Sequence, residues 1–295
     1  MSTDAIVVTY NRIEKLKECL SNLVGMDLKT IFVVNNASTD GTKEYLEVMS
    51  RSQDKIRVIS LKDNIGGAGG FNVGLKAFVH ESKSEYVWMM DDDTVPSLGA
   101  LHKLLTKLKK VPDETRGFAV GQTYWINGEL SIMNKPHVVG PSSYLSNTLE
   151  IDEASFVAIL LYRKAILKIG LPIKDFFIWG DDVEYTRRLI NKGFMGIQIL
   201  DARVIHKMAA NNSTNIVREN NNVERVKRYY YDFRNRIYLS KQVGTMRLLK
   251  TLFGRFIWLF RILFYPGKYK SIKVKVLYKG TIDGLRFKPK IESVS

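Results

Sequence analysis

Four short β-rich runs, each followed by a polar cluster and then a segment of helical period, constrain this chain more than any other feature. Residues 5–9 (AIVVT) read as a buried strand, and Leu16, Leu20 and Leu23 give residues 12–23 one apolar helical face. A second strand at 31–35 precedes a helix from Gly41, and a third at 56–61 precedes a helix over 68–80. A fourth at 86–90 precedes a helix over 97–110. This βαβα rhythm predicts a mostly parallel sheet with helices on both faces. Polar loops then gather at the carboxyl ends of the strands, where open α/β sheets bind ligands.

The middle of the chain is more mixed. Residues 118–125 and 129–133 read as a hairpin around Asn127-Gly128, a strong turn signal. Residues 156–162 read as a buried strand, 181–191 as a helix and 194–200 as a strand. An Asn-rich stretch at 211–222 then leads into a basic, aromatic region over 223–265. The composition shift sets an expected boundary near residue 212, with an α/β domain over 1–212 and a helical region over 213–295.

Charge narrows the partners. The net charge is +15, and about 14 of those charges lie from Val217 onward. Such an excess calls for a polyanion: nucleic acid, anionic lipid or a phosphorylated substrate. Cys19 is the sole cysteine, which excludes an intrachain disulfide and fits a reducing compartment. The first residues, MSTDAIVVTYNR, carry Asp4 and no basic leader, so they read as a strand and not as a signal peptide. No run of about 18 apolar residues is free of charge, so no spanning helix is expected.

Several clusters carry chemistry. Asp91-Asp92-Asp93 directly follow the fourth strand. Adjacent carboxylates repel one another unless a cation intervenes, and a hard divalent metal on a diphosphate would supply it. An acidic loop or helix cap is the plainer alternative. Asn64-Ile65-Gly66-Gly67-Ala68-Gly69-Gly70-Phe71 lie before the third helix, where glycines allow close backbone approach and a helix N-terminus suits pyrophosphate. The run matches neither a dinucleotide fingerprint nor a Walker loop. Trp179-Gly180-Asp181-Asp182 open the helix that carries Arg187 and Arg188; these carboxylates could cap it or serve as a general base. Thr9, Asn11 and Arg12 end the first strand, and Asn36 and Asp40 follow the second, where turn chemistry and nucleotide binding both fit. His206 alone has no assignment, and His80, His102 and His137 read as structural or surface residues.

Taken in order, VVTYNR, NNASTDGT, Asn64 before the glycines, the DDD triplet and the GDDVE segment resemble family 2 glycosyltransferases of the GT-A fold over about residues 4–210. The resemblance implies that Thr9, Asn11 and Asp40 contact the nucleoside. It implies that Asp91, Asp93 and His206 hold Mg²⁺ or Mn²⁺ on the donor diphosphate. Asp182 matches the catalytic base, while Asp181 stands where many members have Glu. The donor side would also include Arg12, Asn36, Asn64, Gly69, Gly70, Asp91, Asp92, Trp179 and Asp181. The full glycine run, the DDD triplet and the W-x-DD-like segment are similar to the galactofuranosyltransferase branch. They imply a UDP-galactofuranose donor, with dTDP-rhamnose or UDP-glucose as alternatives, and inversion at the anomeric carbon.

The basic region has its own reading. Residues 248–265 (LLKTLFGRFIWLFRILFY) are too charged to span a bilayer easily and too apolar for water alone. An interfacial helix on an anionic membrane accounts for both. A face packed on the catalytic domain or in a homo-oligomer is the alternative. A lipid-linked glycan acceptor and a site at the inner face of the cell membrane follow as expectations. A basic nucleic-acid binder would leave the DDD triplet, the glycine run and Asp182 unexplained, so no nucleic-acid partner is expected.

Overall fold

The computed structural model describes residues 2–141, 145–211 and 215–294. The chain divides into two compact units, one of residues 1–174, 182–212 and 291–295, the other of residues 175–181 and 213–290.

The first unit is a mixed sheet with flanking helices. Its first half runs β1 (Thr3–Thr9), α1 (Ile13–Val24), β2 (Ile31–Asn35), α2 (Thr42–Ser52), β3 (Ile56–Ser60), α3 (Gly66–Glu81) and β4 (Tyr86–Asp91). Next come β5 (Thr94–Pro96), α4 (Ala100–Leu108), β6 (Arg116–Tyr124), β7 (His137–Pro141), β8 (Thr148–Glu153) and β9 (Ile159–Tyr162). Then follow α5 (Arg163–Ile169), α6 (Asp181–Asn191) and β10 (Met195–His206). The strand order is β3-β2-β1-β4-β9-β6-β10-β8-β7, with β5 paired to β10 off this path. The pairs β3-β2, β2-β1 and β1-β4 are parallel, whereas β9 runs antiparallel to both neighbours.

Burial explains the run-like strands. Every residue of β1 and β2 is buried, as a strand covered on both faces must be. Helix α1 turns Leu16, Cys19, Leu20 and Leu23 inward. Helix α3 lies so close to the sheet that a Cβ on Gly70 would stand 2.5 Å from Val8 Cγ1, and one on Gly74 2.6 Å from Ile6 Cγ2. Trp88 is fully buried, and its indole Nε1–H donates to the Ala158 carbonyl at 3.0 Å.

Three expectations are corrected in this unit. The glycine run is not a loop before α3 but its first turn, because α3 starts at Gly66. The Asn127-Gly128 turn forms, with Gly128 N–H donating to Trp125 O and Trp125 N–H to Glu129 O, but its second strand shrinks to one bridge, Tyr124↔Leu130. Ser131 there bonds Asn134, and the chain leaves the sheet. Strand β10 runs past the expected end at residue 200 to His206, through an irregularity between Ile199 and Arg203.

The second unit is helical: α7 (Val223–Val243), α8 (Thr245–Phe264) and α9 (Lys270–Arg286). The sequence reading placed α9 inside a helical region over 213–295 without giving it bounds of its own. Its Gly280 and Gly284 look like breakers, yet they admit α7: a Cβ on Gly280 would stand 2.7 Å from Tyr230 O. Lys241 of α7 donates to the carbonyls of Gly284, Leu285 and Phe287, capping the end of α9. Residues 176–179 also belong to this unit. Phe177 stacks on Tyr231 at 4.5 Å, and Asn235 Nδ2 donates to the carbonyls of Phe176, Ile178 and Trp179. That anchoring holds Phe177 and Trp179 at φ of 64° and 67°, a region non-glycine residues rarely occupy.

Among the described residues, no helix is long and apolar enough to cross a membrane.

Candidate active site

The acidic triplet sits where β4 ends, at the carboxyl edge of the parallel strands. Asp92 and Asp93 are buried and Asp91 is half-buried. Thr9 Oγ1 donates to Asp92 Oδ2 at 2.7 Å, which ties the end of β1 to the triplet. Arg12 Nη1 lies 2.8 Å from Asp93 Oδ2 and 3.4 Å from Asp92 Oδ1. Lys15 Nζ lies 3.5 Å from Asp93 Oδ2 and donates to Lys207 O.

Register brings His206 to this place across 113 residues. The last turn of β10 pairs with β5, so His206 stands opposite Thr94, and Lys207 N–H donates to Asp93 O at 2.8 Å. His206 Nε2 lies 2.9 Å from Asp93 Oδ1. Its other ring nitrogen, Nδ1, lies 2.7 Å from Asn134 Oδ1. Asn134 is itself fixed: its Oδ1 accepts from Ser131 Oγ and its Nδ2 donates to Ser155 Oγ. An amide oxygen only accepts, so Nδ1 is a donor and Nε2 is the nitrogen that faces the carboxylates. Ligand atoms of Asp91, Asp93 and His206 all lie within 4.8 Å of one another.

The electrostatics are those of a site short of positive charge. Burial, then the neighbouring charge of Asp93, pushes the Asp91 carboxyl up to about 7. Burial pushes Asp92 up to about 6, against the pull of Arg12 and the Thr9 hydrogen bond. Burial acts on Asp93 in the same sense, but its His206 hydrogen bond, the His206 charge, Arg12 and Lys15 hold it well below the usual carboxylate range. The buried Thr94 Oγ1 has no hydrogen-bond partner among the described residues. Two carboxylates and one imidazole around an electron-rich pocket fit a divalent ion of the Mg²⁺ or Mn²⁺ kind.

The other sequence-predicted residues fall in distinct places. Asn11 and Asp40 lie together at the edges of β1 and β2. Asn11 Oδ1 accepts from Thr39 N–H at 2.7 Å, and Asp40 Oδ2 accepts from Ile13 N–H at the start of α1. Asp40 also takes Thr42 Oγ1–H at 2.6 Å; burial raises its pKa, but this bond and those from Ile13 and Thr42 N–H outweigh it and lower the value. Asn36 is buried and spends both amide atoms on the next loop, accepting from Ile65 N–H and donating to Gly66 O. Asn64 Oδ1 accepts from Gly66 N–H at 2.9 Å. A Cβ on Gly69 would stand 2.7 Å from Ile65 Cγ1, so Gly69 and Gly70 admit protein, whereas Gly67 has nothing within 4 Å.

Asp182 is half-buried at the start of α6, with Oδ1 accepting from Val183 N–H at 2.8 Å. Arg187 and Arg188 of that helix are taken by Glu153 and by Glu184. Both guanidinium groups thus pair with carboxylates of the same unit. Trp179 and Asp181 belong to the helical unit. Sequence reasoning missed Lys15 and Asn134. Lys15 follows Arg12 by three residues at the start of a helix, a spacing that puts both on one face. Asn134 had no signal in the sequence.

The profile of glycosyl transferase family 2 matches residues 4–169. The chain belongs to glycosyl transferase family 2. It is 27% identical over 277 residues to the galactofuranosyltransferase GlfT1 of Mycolicibacterium smegmatis, covering 88% of this chain and 89% of that protein. Among solved structures, the fold resembles the mannosyltransferase PcManGT of Pyrobaculum calidifontis in complex with GDP-Man and Mn²⁺. The TM-score is 0.58 at 14% identity, over 96% of this chain and 86% of that one. It also resembles GalNAc-T7 with UDP, GalNAc and Mn²⁺, at a TM-score of 0.61 and 14% identity, over 81% of this chain and 50% of that chain. The chain is thus a glycosyltransferase with the GT-A fold.

Proposed function

We propose that this glycosyltransferase moves galactofuranose from UDP-galactofuranose, with inversion, onto a lipid-linked glycan at a membrane surface. The observation that carries the catalytic part is the convergence of Asp91, Asp93 and His206 at the end of β4. Likeness to GlfT1 along nearly the whole chain supports the donor.

The residues fit the metal, which would be held by Asp91, Asp93 and His206. When bound, it would neutralise charge on the donor diphosphate and so favour the leaving group. The rest of the work falls to the chain. Thr9, Asn11 and Asp40 line the edge of β1 and β2 and take the nucleoside. Arg12 and Lys15 lie beside the carboxylates and offer cationic donors to the diphosphate. Asn36 and Asn64 act through the loop that opens α3, by fixing its backbone. Asp182 accepts the proton of the acceptor hydroxyl, whose oxygen then attacks the anomeric carbon from the face opposite the nucleotide. The sheet unit performs the chemistry, and the helical unit serves the acceptor and the membrane.

The test is release of free nucleotide from UDP-galactofuranose, UDP-galactopyranose, UDP-glucose and dTDP-rhamnose. Each is run with Mn²⁺ or Mg²⁺ and an extract of lipid-linked acceptors, with and without EDTA. Turnover of UDP-galactofuranose alone, abolished by EDTA, is expected. Turnover of another donor would overturn the galactofuranose assignment, and undiminished turnover in EDTA would overturn the metal.

A further inference from the structure

Helix α8 is apolar on both faces, for Ile262, Trp258 and Leu259 pack inward on the core of the helical unit. Its inward face carries Arg255, only 9% exposed, beside Ile262. The Arg255 guanidinium lies over the Phe233 ring at 4.5 Å and donates from Nη2 to Phe233 O at 3.2 Å. Its buried Nε has no hydrogen-bond partner among the described residues. Burial lowers the Arg255 pKa to about 10, so the site is costly for a charge.

The outward face is apolar. Met246 (67% exposed), Leu249, Phe253 (67%), Phe256, Phe260 (60%) and Leu263 recur at intervals of three and four residues. That spacing draws one continuous stripe along a helix. Ile257 and Phe264 widen it, and Phe260 stacks on Phe264. Such a stripe on a water-facing surface demands an apolar partner.

Charge says which partner. At about 100° per residue, Arg247, Lys250 and Arg261 fall within about 60° of one another, along one border of the stripe. All three are exposed, and none takes part in an ion pair with a carboxylate among the described residues. Helix α8 contains no Asp or Glu. A seam between two copies of this chain would bring these like-charged borders together or leave them uncompensated. An anionic lipid surface would take the apolar stripe and the basic border at once. The helix is not long and apolar enough to cross the membrane.

We infer that α8 lies in the plane of a bilayer containing anionic phospholipid, inserting Phe253, Phe256 and Phe260 and setting Arg247, Lys250 and Arg261 against the headgroups. This deepens the membrane placement proposed above and does not depend on which donor the enzyme uses.

The test is co-sedimentation of the full chain with vesicles of phosphatidylcholine, with or without phosphatidylglycerol. Strong binding is expected only with phosphatidylglycerol, and added salt should weaken it. The triple variant Phe253→Ser, Phe256→Ser, Phe260→Ser should lose about tenfold or more in vesicle affinity. The triple variant Arg247→Gln, Lys250→Gln, Arg261→Gln leaves the apolar stripe intact and should lose roughly fivefold per charge removed. Thermal midpoints of both variants and their nucleotide release without vesicles are scored separately, so a lost activity or a misfolded chain cannot pass for lost binding. Equal binding to vesicles without phosphatidylglycerol would overturn the inference. So would a wild-type dimer in sedimentation velocity that the serine variant dissociates while vesicle binding stays unchanged.

Discussion

His206 is gripped from both sides of its ring: Nδ1 meets Asn134 Oδ1 at 2.7 Å while Nε2 faces Asp93 Oδ1 at 2.9 Å. The amide oxygen makes Nδ1 a donor and so leaves Nε2 as the nitrogen available to a metal. Outer partners of this kind typically account for about 10–100-fold in metal affinity. Asn134→Ala should therefore weaken Mn²⁺ binding by about that factor, read as free Mn²⁺ by electron paramagnetic resonance. Asn134→Asp, which still accepts from Nδ1–H, should retain most of the affinity. Equal affinity in the alanine variant would show that β-strand register alone orients the ring.

The triplet makes stability depend on pH in an unusual sense. Asp91 and Asp92 titrate at about 7 and about 6 in the folded chain, against an ordinary value of 3.8. Between about pH 4 and 7 the folded state thus holds protons that the unfolded chain has lost. The metal-free protein should lose stability as pH rises through that window. Asp93 is depressed, so its contribution is lost only as pH falls below the ordinary carboxylate range. A divalent ion needs these carboxylates ionised, so stabilisation by Mn²⁺ should grow over the same interval. Thermal midpoints in EDTA and in Mn²⁺ across the window check both slopes. Parallel curves would mean that the ion does not bind at the triplet.

The parallel half of the sheet was legible because its strands are buried on both faces. Runs such as IFVVN at 31–35 leave no other reading. Strand β7 was not: His137, Val138 and Val139 are exposed at an edge, and no alternation marks them. Helix α9 hid behind Gly280 and Gly284, whose reason is the approach of α7, a fact of tertiary structure. In the site, the triplet and His206 could be named from motif order. The pairing of Asn134 with His206 could not, since it depends on where the chain turns after the Asn127-Gly128 corner. The glycine run misled in a different way. It suggested backbone opened to a ligand, yet Gly69 and Gly70 face Ile65 and Val8.

The base role proposed for Asp182 predicts a variant that loses chemistry and keeps binding. The Asp182 carboxylate opens α6 and accepts from Val183 N–H. An amide in its place keeps an acceptor for that N–H but cannot take a proton. Asp182→Asn should lower kcat by about 10²–10⁴-fold while the nucleotide-sugar Kd changes little. Both are measured on the same preparation, by nucleotide release and by calorimetry. A kcat within a few fold of wild type would make Asp182 a helix cap and send the search for the base elsewhere.

Gly74 tests how closely α3 must lie on the sheet. A Cβ there would meet Ile6 Cγ2 at 2.6 Å and Val34 Cγ2 at 3.3 Å, and both side chains are fully buried. In helix propensity alone, alanine would be better than glycine by about 1 kcal/mol. The clash works against it, because crowding a packed core costs about 1–3 kcal/mol. Gly74→Ala should therefore destabilise the fold, with a lower urea midpoint and an unchanged slope. Because β1 and α3 carry Thr9 and the Asn64 loop, a shift of α3 off the sheet should also weaken UDP binding. A midpoint equal to or above wild type would mean that Ile6 and Val34 give way freely, and that α3 is held at its distance by something other than this contact.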